Sequence, residues 1–179
     1  MKKIFTLLLF SLSTITFAQT FTLKSKAIGG QATNKEVFNG FGCTGDNVSP
    51  QLSWTDAPAN TKSFAVTIYD EDAPTGSGFW HWLIFDIPAN VTELKSGAGN
   101  LSTGIAPKGA IQSLTDFGQK GYGGPCPPVG HGFHKYTITV HALDTDNLGP
   151  DSDTNPALVG FNLTGHTLGK ASIVMYYKR

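Results

Sequence analysis

The residues best suited to chemistry are a histidine and a tyrosine beside a loop rich in glycine and proline. His134 and Tyr136 lie two positions apart in an alternating segment, so both side chains lie on one face of a predicted strand. They follow the segment GPCPPVGHGF at 124–133. Imidazole N–H and phenol O–H groups donate hydrogen bonds, and loops of this kind present backbone amides. This grouping predicts a site that holds an anion.

An acidic run, Asp70-Glu71-Asp72, ends a second alternating segment. Three adjacent carboxylates repel one another unless a positive group or a hydrogen-bond donor lies nearby. One interpretation is a solvated turn leading into Ala73-Pro74, because Asp and Pro are favourable turn residues. The other is that Asp70 and Asp72 belong to the site.

A third candidate is His81, which lies between Trp80 and Trp82 at the start of an apolar segment. Simple alternation places His81 on the same face as Leu83 and Phe85, the face expected to enter the core. A buried core histidine with a single hydrogen-bond partner is one interpretation. A histidine that binds a ligand is the other.

The two cysteines, Cys43 and Cys126, are 83 positions apart. In an exported chain, a disulfide between them is favoured. Two free buried thiols are the alternative. A metal site is least favoured, because neither cysteine has a second ligand at a metal-binding spacing. No GxSxG, HExxH or nucleotide-loop spacing occurs, so we expect no catalytic residue, metal or cofactor.

Alternating segments separated by turns dominate the rest of the chain. Strands are predicted around 64–70, 81–87, 134–142 and 172–176, which favours an antiparallel sandwich or barrel. One helix is predicted with Asn155 as its cap, Pro156 at its first position and Gly169 as its stop. The segment 96–132 holds ten glycines and four prolines, and we expect it to form a wall of the site.

The N-terminus has the pattern of an export signal. Lys2-Lys3 precede an apolar stretch, and Thr16-Phe17-Ala18 ends with small residues at the cleavage positions. We therefore predict a cleaved signal peptide at 1–18, a single domain at 19–179, and a periplasmic or secreted location without an integral membrane segment. The chain has 13 basic and 13 acidic residues. Since no basic cluster follows the leader, a nucleic-acid partner is excluded.

Three segments resemble the phosphatidylethanolamine-binding protein (PEBP) family, in particular its bacterial Raf-kinase-inhibitor-like branch. They are NVSPQLSW at 47–54, DEDAPTGSGFWHWLIFDIP at 70–88 and GYGGPCPPVGHGFHKYTITVHALD at 121–144. Glu71 stands where the family usually has proline, and Lys135 where arginine is frequent.

The resemblance implies a mostly β fold, an antiparallel β-sandwich with one or two short helices, and a small anion pocket. Mapped onto this chain, the ligand-binding residues are Asp70, Asp72, His81, Pro128, His134 and Tyr136. His81 and His134 would donate ring N–H groups, Tyr136 its hydroxyl, and Asp70 would raise the basicity of a histidine.

Three functions follow from this resemblance. The first is an exported binding protein for phosphate, a phosphoethanolamine-type anion or a phospholipid head group. The second is a regulator of a kinase or another protein partner through the rim of the pocket. A hydrolase with a histidine base is the least favoured, because no serine or cysteine is tied to these histidines.

Overall fold

The structure is a computed structural model that describes residues 20–179; the predicted signal peptide at 1–18 lies outside the described residues. Ten strands and one α-helix follow in chain order. They are β1 (Thr22–Lys24), β2 (Asn39–Gly40), β3 (Cys43–Thr44), β4 (Leu52–Thr55), β5 (Ser63–Asp70), β6 (Phe79–Pro88), β7 (Glu93–Leu94), β8 (Ile111–Gln112), β9 (His134–Leu143), α1 (Pro156–His166) and β10 (Thr167–Tyr177). A single 3₁₀ turn covers Leu101–Thr103 within the described part of the chain.

Two antiparallel sheets enclose the main core, so the predicted mostly β antiparallel sandwich is confirmed. The larger sheet has the order β10-β9-β5-β6-β8, and the smaller has the order β1-β4-β7. Leu52 and Trp54 of the small sheet belong to the same buried cluster as Val66, Ile68 and Ile138 of the large sheet. Burying these alternating apolar faces against each other drives the association of the sheets.

Helix α1 covers part of the opposite face of the large sheet. Val159 and Leu163 of the helix form a second cluster with Leu83 and Phe85 of β6. No helix within residues 20–179 is both long enough and apolar enough to span a membrane.

The predicted helix is confirmed at its start, but its predicted end is wrong. The Asn155 side chain accepts a hydrogen bond from the Leu158 amide, as expected of a cap. The helix ends at His166, and Thr167 enters β10 directly in an extended conformation. Gly169 lies inside that strand at a register shift rather than after the helix. Because Thr167 Oγ1 bonds the Leu163 carbonyl at 2.6 Å, the helix end needs no left-handed glycine.

The alternation predicted for β6 is also wrong, because two irregularities interrupt it. Register shifts occur opposite Phe64/Val66 and Ile68/Tyr69 of β5. As a result, Ile87 joins Ile84 in the main core, while Leu83 and Phe85 pack in the helix-side cluster. His81 does not share their environment. Its ring meets that of Tyr136 edge-on, with centroids 5.0 Å apart.

Candidate functional site

A cavity of about 160 Å³ lies where β5, β6 and β9 of the large sheet approach the loops. Four buried polar side chains, which we call the cavity floor, come from these strands: Asp70, His81, His134 and Tyr136. The remaining lining is largely apolar, with Phe79 and Phe117 as aromatic sides. Segment 126–128 and Phe41 close the outer side, and we call them the loop wall.

Asp70 and His134 form a buried pair across the floor. Asp70 ends β5, and its backbone lies opposite Tyr136 of β9, which brings His134 within reach. The Asp70 carboxylate accepts a hydrogen bond from His134 Nδ1 at 2.7 Å, and it also accepts the Asp72 amide at 2.9 Å. The alternation that predicted a common face for His134 and Tyr136 is confirmed.

Asp72 lies outside the cavity lining. It is exposed, and its carboxylate accepts a hydrogen bond from the Lys135 amide at 2.7 Å. The Lys135 ammonium forms an ion pair with the Glu71 carboxylate, which raises the pKa of Lys135. The two departures from the family motif therefore contact each other at the exposed edge, away from the cavity.

The hydrogen bond of His81 determines which of its ring nitrogens carries a proton. His81 Nδ1 lies 2.8 Å from the Gly123 carbonyl oxygen. Because a carbonyl only accepts, Nδ1 must be the donor, and in the neutral ring Nε2 is then an acceptor. Burial lowers the pKa of His81 to about 4, so the ring is neutral near pH 7. The expectation that His81 donates a ring N–H to an anion therefore does not hold for the neutral ring.

The Tyr136 hydroxyl is a buried hydrogen-bond donor in the cavity lining. The residue is fully buried, and its hydroxyl makes no hydrogen bond among the described residues. Burial, followed by the negative charge of Asp70, raises the pKa of Tyr136 well above its ordinary value. The phenol therefore keeps its proton, and it can donate that proton to a molecule in the cavity.

His131 is a contact that the sequence motifs did not single out. Its Nδ1 lies 2.8 Å from His134 Nε2. With Nδ1 bonded to Asp70, both ring nitrogens of His134 are occupied. Because Nδ1 donates to the Asp70 carboxylate, Nε2 of the neutral ring accepts a hydrogen bond from His131 Nδ1, so the expectation that His134 donates a ring N–H to an anion does not hold for the neutral ring either. His131 itself lies on an exposed loop between Gly130 and Gly132.

The loop wall is held by a covalent bond. Cys43 and Cys126 form a disulfide, with their Cα atoms 6.0 Å apart, so the favoured of the three alternatives is the one present. It joins the β2–β3 hairpin to the residue that precedes Pro127 and Pro128. Pro128 thus lines the cavity from the loop side.

Close packing explains why glycines lead into this wall. A Cβ on Gly124 would lie 1.9 Å from the Glu36 carbonyl oxygen, and one on Gly123 would lie 2.3 Å from the Phe117 ring. The Asn47 side chain accepts the Gly124 amide at 2.8 Å and donates to the Tyr122 carbonyl. Of the predicted wall at 96–132, only residues from Phe117 onward line the cavity.

Several site residues had little or no signal in the sequence. Nothing marked Phe41 and Phe117, which lie far apart in the chain and stack with centroids 5.6 Å apart. Asn47 stood out only as the first residue of the family motif at 47–54. His131 lies within the family motif at 121–144, but its contact with His134 depends on the course of the loop.

Comparison with known proteins identifies the class of protein to which this fold and cavity belong. The family model for phosphatidylethanolamine-binding protein matches residues 28–178, and the chain belongs to that family.

Its relatives include two Escherichia coli proteins. UPF0098 protein YbcL is 47% identical over 172 residues, covering 93% of this chain and 94% of YbcL. UPF0098 protein YbhB is 48% identical over 149 residues, covering 83% and 93%. The crystal structure of E. coli YbcL, described as a new member of the mammalian PEBP family, superposes with a TM-score of 0.87 over 89% of this chain and 98% of that one.

Proposed function

We propose that the protein is an exported binding protein that holds a phosphate-type anion in the cavity, as inorganic phosphate or as a phosphoethanolamine-type head group. The observation that carries this proposal is the Tyr136 hydroxyl, a buried donor that has no partner within residues 20–179. A buried donor left without an acceptor is costly, and a bound oxyanion would satisfy it.

The rest of the cavity supports a small, partly charged ligand. Its volume of about 160 Å³ suits a head group rather than an acyl chain. The aromatic and proline sides surround the floor with apolar surface, which strengthens any hydrogen bond made to the floor. Membership of the phosphatidylethanolamine-binding protein family agrees with a ligand of this kind.

Thermal unfolding with and without ligand tests the proposal. Phosphate or phosphoethanolamine at 10 mM should raise Tm of the wild-type protein, because a ligand that binds only the folded state stabilises it. Tyr136→Phe should lose most of this shift. Tyr176→Phe, which removes an exposed hydroxyl on β10, is the matched control and should keep it. An identical shift in both variants would remove Tyr136 from the site.

A regulatory role through a protein partner is the second candidate. Phe41, Val129 and Phe133 are 70%, 76% and 50% exposed, and they lie on or next to the loop wall. Exposed apolar side chains of this kind are typical of contact surfaces. A kinase or other partner that binds here should be displaced by Val129→Asp, while phosphate binding should persist.

A hydrolase function has less support. Both cysteines of the chain are bridged, so Cys126 supplies no thiolate. Hydrolysis of p-nitrophenyl phosphate that is lost in His81→Ala would overturn this assignment.

Export is supported by the leader pattern together with the disulfide, since such bonds persist in oxidising compartments. Sequencing the N-terminus of protein recovered from the cell envelope or medium tests it. Cleavage after Ala18 should leave Gln19 as the first residue. Recovery of the protein from the cytoplasm with Met1 intact would contradict it.

A further inference from the structure

The hydrogen-bonding groups of the cavity floor place a restriction on its ligand. Tyr136 offers a free donor, and the neutral ring of His81 offers an acceptor at Nε2, because Nδ1 donates to the Gly123 carbonyl. The bond from Nδ1 to the Gly123 carbonyl is the one hydrogen bond that the His81 ring makes within residues 20–179, and the Gly124 backbone also lies near the ring. A ligand that satisfies both groups must accept one hydrogen bond and donate another.

The charged groups around His81 also favour a ligand that carries a proton. Asp70 faces the ring from β5, His134 and Tyr136 face it from β9, and Asp116 lies near it on the loop that carries Phe117. Within residues 20–179, the cavity lining includes neither lysine nor arginine. A fully ionised dianion would therefore lie near the Asp70 carboxylate, with no lysine or arginine of the described lining to balance its charge.

From this geometry we infer that the cavity binds an oxyanion together with one proton, shared between the ligand and His81 Nε2. It therefore selects phosphomonoesters and inorganic phosphate over phosphodiesters and sulfate. The inference rests on the proposed function and names the ligand class of that site. A monoester carries an ionisable P–OH that can donate to Nε2. A diester and sulfate carry no such proton near neutral pH, so their binding requires His81 itself to take up a proton.

The distinction separates two sources of the same head group. Free phosphoethanolamine is a monoester, whereas the head group of an intact phospholipid is a diester. The floor therefore favours the free, water-soluble molecule over the lipid. A soluble phosphomonoester is the expected occupant.

Proton uptake on binding is the direct test. Titration calorimetry with methyl phosphate at pH 7.5, in two buffers of different ionisation enthalpy, counts the protons taken up. A phosphomonoester with a second pKa near 6 is mostly a dianion at that pH, so we expect close to one proton per ligand. Between pH 6 and pH 8 the affinity should fall about 50-fold, following the loss of the protonated ligand. Dimethyl phosphate and sulfate should bind at least about tenfold more weakly than methyl phosphate at pH 6.

Two variants locate the proton. In His81→Gln, the amide can donate directly to the dianion, so the uptake should disappear and the affinity should become independent of pH. His131→Asn is the matched control, because His131 contacts His134. This variant should retain the proton uptake. Uptake retained in His81→Gln but lost in His131→Asn would place the proton on the Asp70–His134–His131 chain and overturn the inference.

Three further outcomes test the inference and distinguish its failure from that of the proposed function. Methyl phosphate that binds without proton uptake overturns the inference and leaves the proposed function standing. Equal affinity for methyl phosphate, dimethyl phosphate and sulfate in the wild-type protein does the same, without depending on the folding of any variant. If none of these anions binds at millimolar concentration, the proposed function fails and the inference fails with it.

Discussion

The two sides of the cavity are built in different ways. The floor side chains extend from three neighbouring strands, β9, β5 and β6, whose backbones are paired along the sheet. In the loop wall, segment 126–128 belongs to no strand, and a disulfide attaches it to the β2–β3 hairpin, whose turn carries Phe41. The floor is thus positioned by the same hydrogen bonds and core packing that stabilise the fold. The wall depends on a bond whose formation requires an oxidising compartment.

Because of this difference, the groups that can bind a ligand and the residues that surround the entrance belong to different parts of the fold. The groups that can recognise a ligand, Asp70, His81 and Tyr136, are at most 4% exposed and belong to the sheet. The residues that surround the entrance are exposed apolar side chains on loops, such as Val129. We therefore expect changes in the floor to alter ligand binding, and to lower stability where they break a hydrogen bond of the floor. Changes in the wall should alter stability and access while leaving the floor intact.

The largest effect is expected for Asp70→Ala. It leaves His134 buried without its carboxylate, and breaking a buried pair costs about 3–5 kcal/mol. Urea unfolding measures this loss, and phosphate binding should disappear with it. Asp72→Ala is the matched control at the exposed edge, and it should cost less than about 1 kcal/mol because water replaces its contact with the Lys135 amide. Equal losses of unfolding free energy in the two variants would show that the Asp70–His134 pair contributes no more to stability than the exposed contact of Asp72.

Removal of the disulfide comes next. Cys43→Ala/Cys126→Ala opens a loop of 83 residues, and loss of such a bridge costs about 2–5 kcal/mol. Hydrogen exchange should accelerate in segments 39–44 and 123–130 more than in β5 and β9. Acceleration of equal size in β9 would mean that the floor also depends on the bridge.

The pH dependence of stability tests the burial of His81. Its pKa is lowered to about 4 in the folded state, from 6.5 in a free side chain, so the unfolded chain binds the proton more tightly. Stability from this residue is complete above pH 6.5 and decreases by about 3 kcal/mol as the pH falls to 4 and below. Unfolding free energies of His81→Gln at pH 7 and pH 4 should show a smaller difference than those of the wild type.

His141 gives a comparison within the same molecule. Burial also lowers the pKa of His141 to about 4, but this residue lies beside Lys170 on the other face of the large sheet. Bound phosphate should therefore change the titration of His81 and leave that of His141 unchanged, as followed by NMR. A change of the same size at both residues would argue against a ligand at the floor.

The smallest effect is expected for Tyr136→Phe without ligand. Removing a buried hydroxyl that has no partner should leave stability unchanged or raise it by about 1 kcal/mol, as measured by urea unfolding. A clear loss of stability would mean that the hydroxyl has a partner in solution.

Much of the site was predictable because alternation along a strand is a local property. The common face of His134 and Tyr136 follows from a period of two, and the pairing of β9 with β5 has no register shift. The same rule failed for His81, because β6 contains two register shifts that depend on its pairing with β5. Periodicity predicted that His81 shares a face with Leu83, whereas the resemblance to the family predicted that it lies in the pocket. His81 lines the cavity.

The sequence by itself determined the approximate positions of the four long strands, the start of the helix, the family and the types of residue at the site, because these depend on neighbours in the chain or on long ordered motifs. Only the tertiary structure decided the charges and hydrogen-bond roles of the site. The Gly123 carbonyl lies 42 positions from His81, yet it determines which nitrogen of that ring carries a proton. Burial then holds the ring neutral. Both effects arise from residues that are distant in the chain and approach one another on folding. Neither effect can therefore be predicted from the spacing of residues in the sequence.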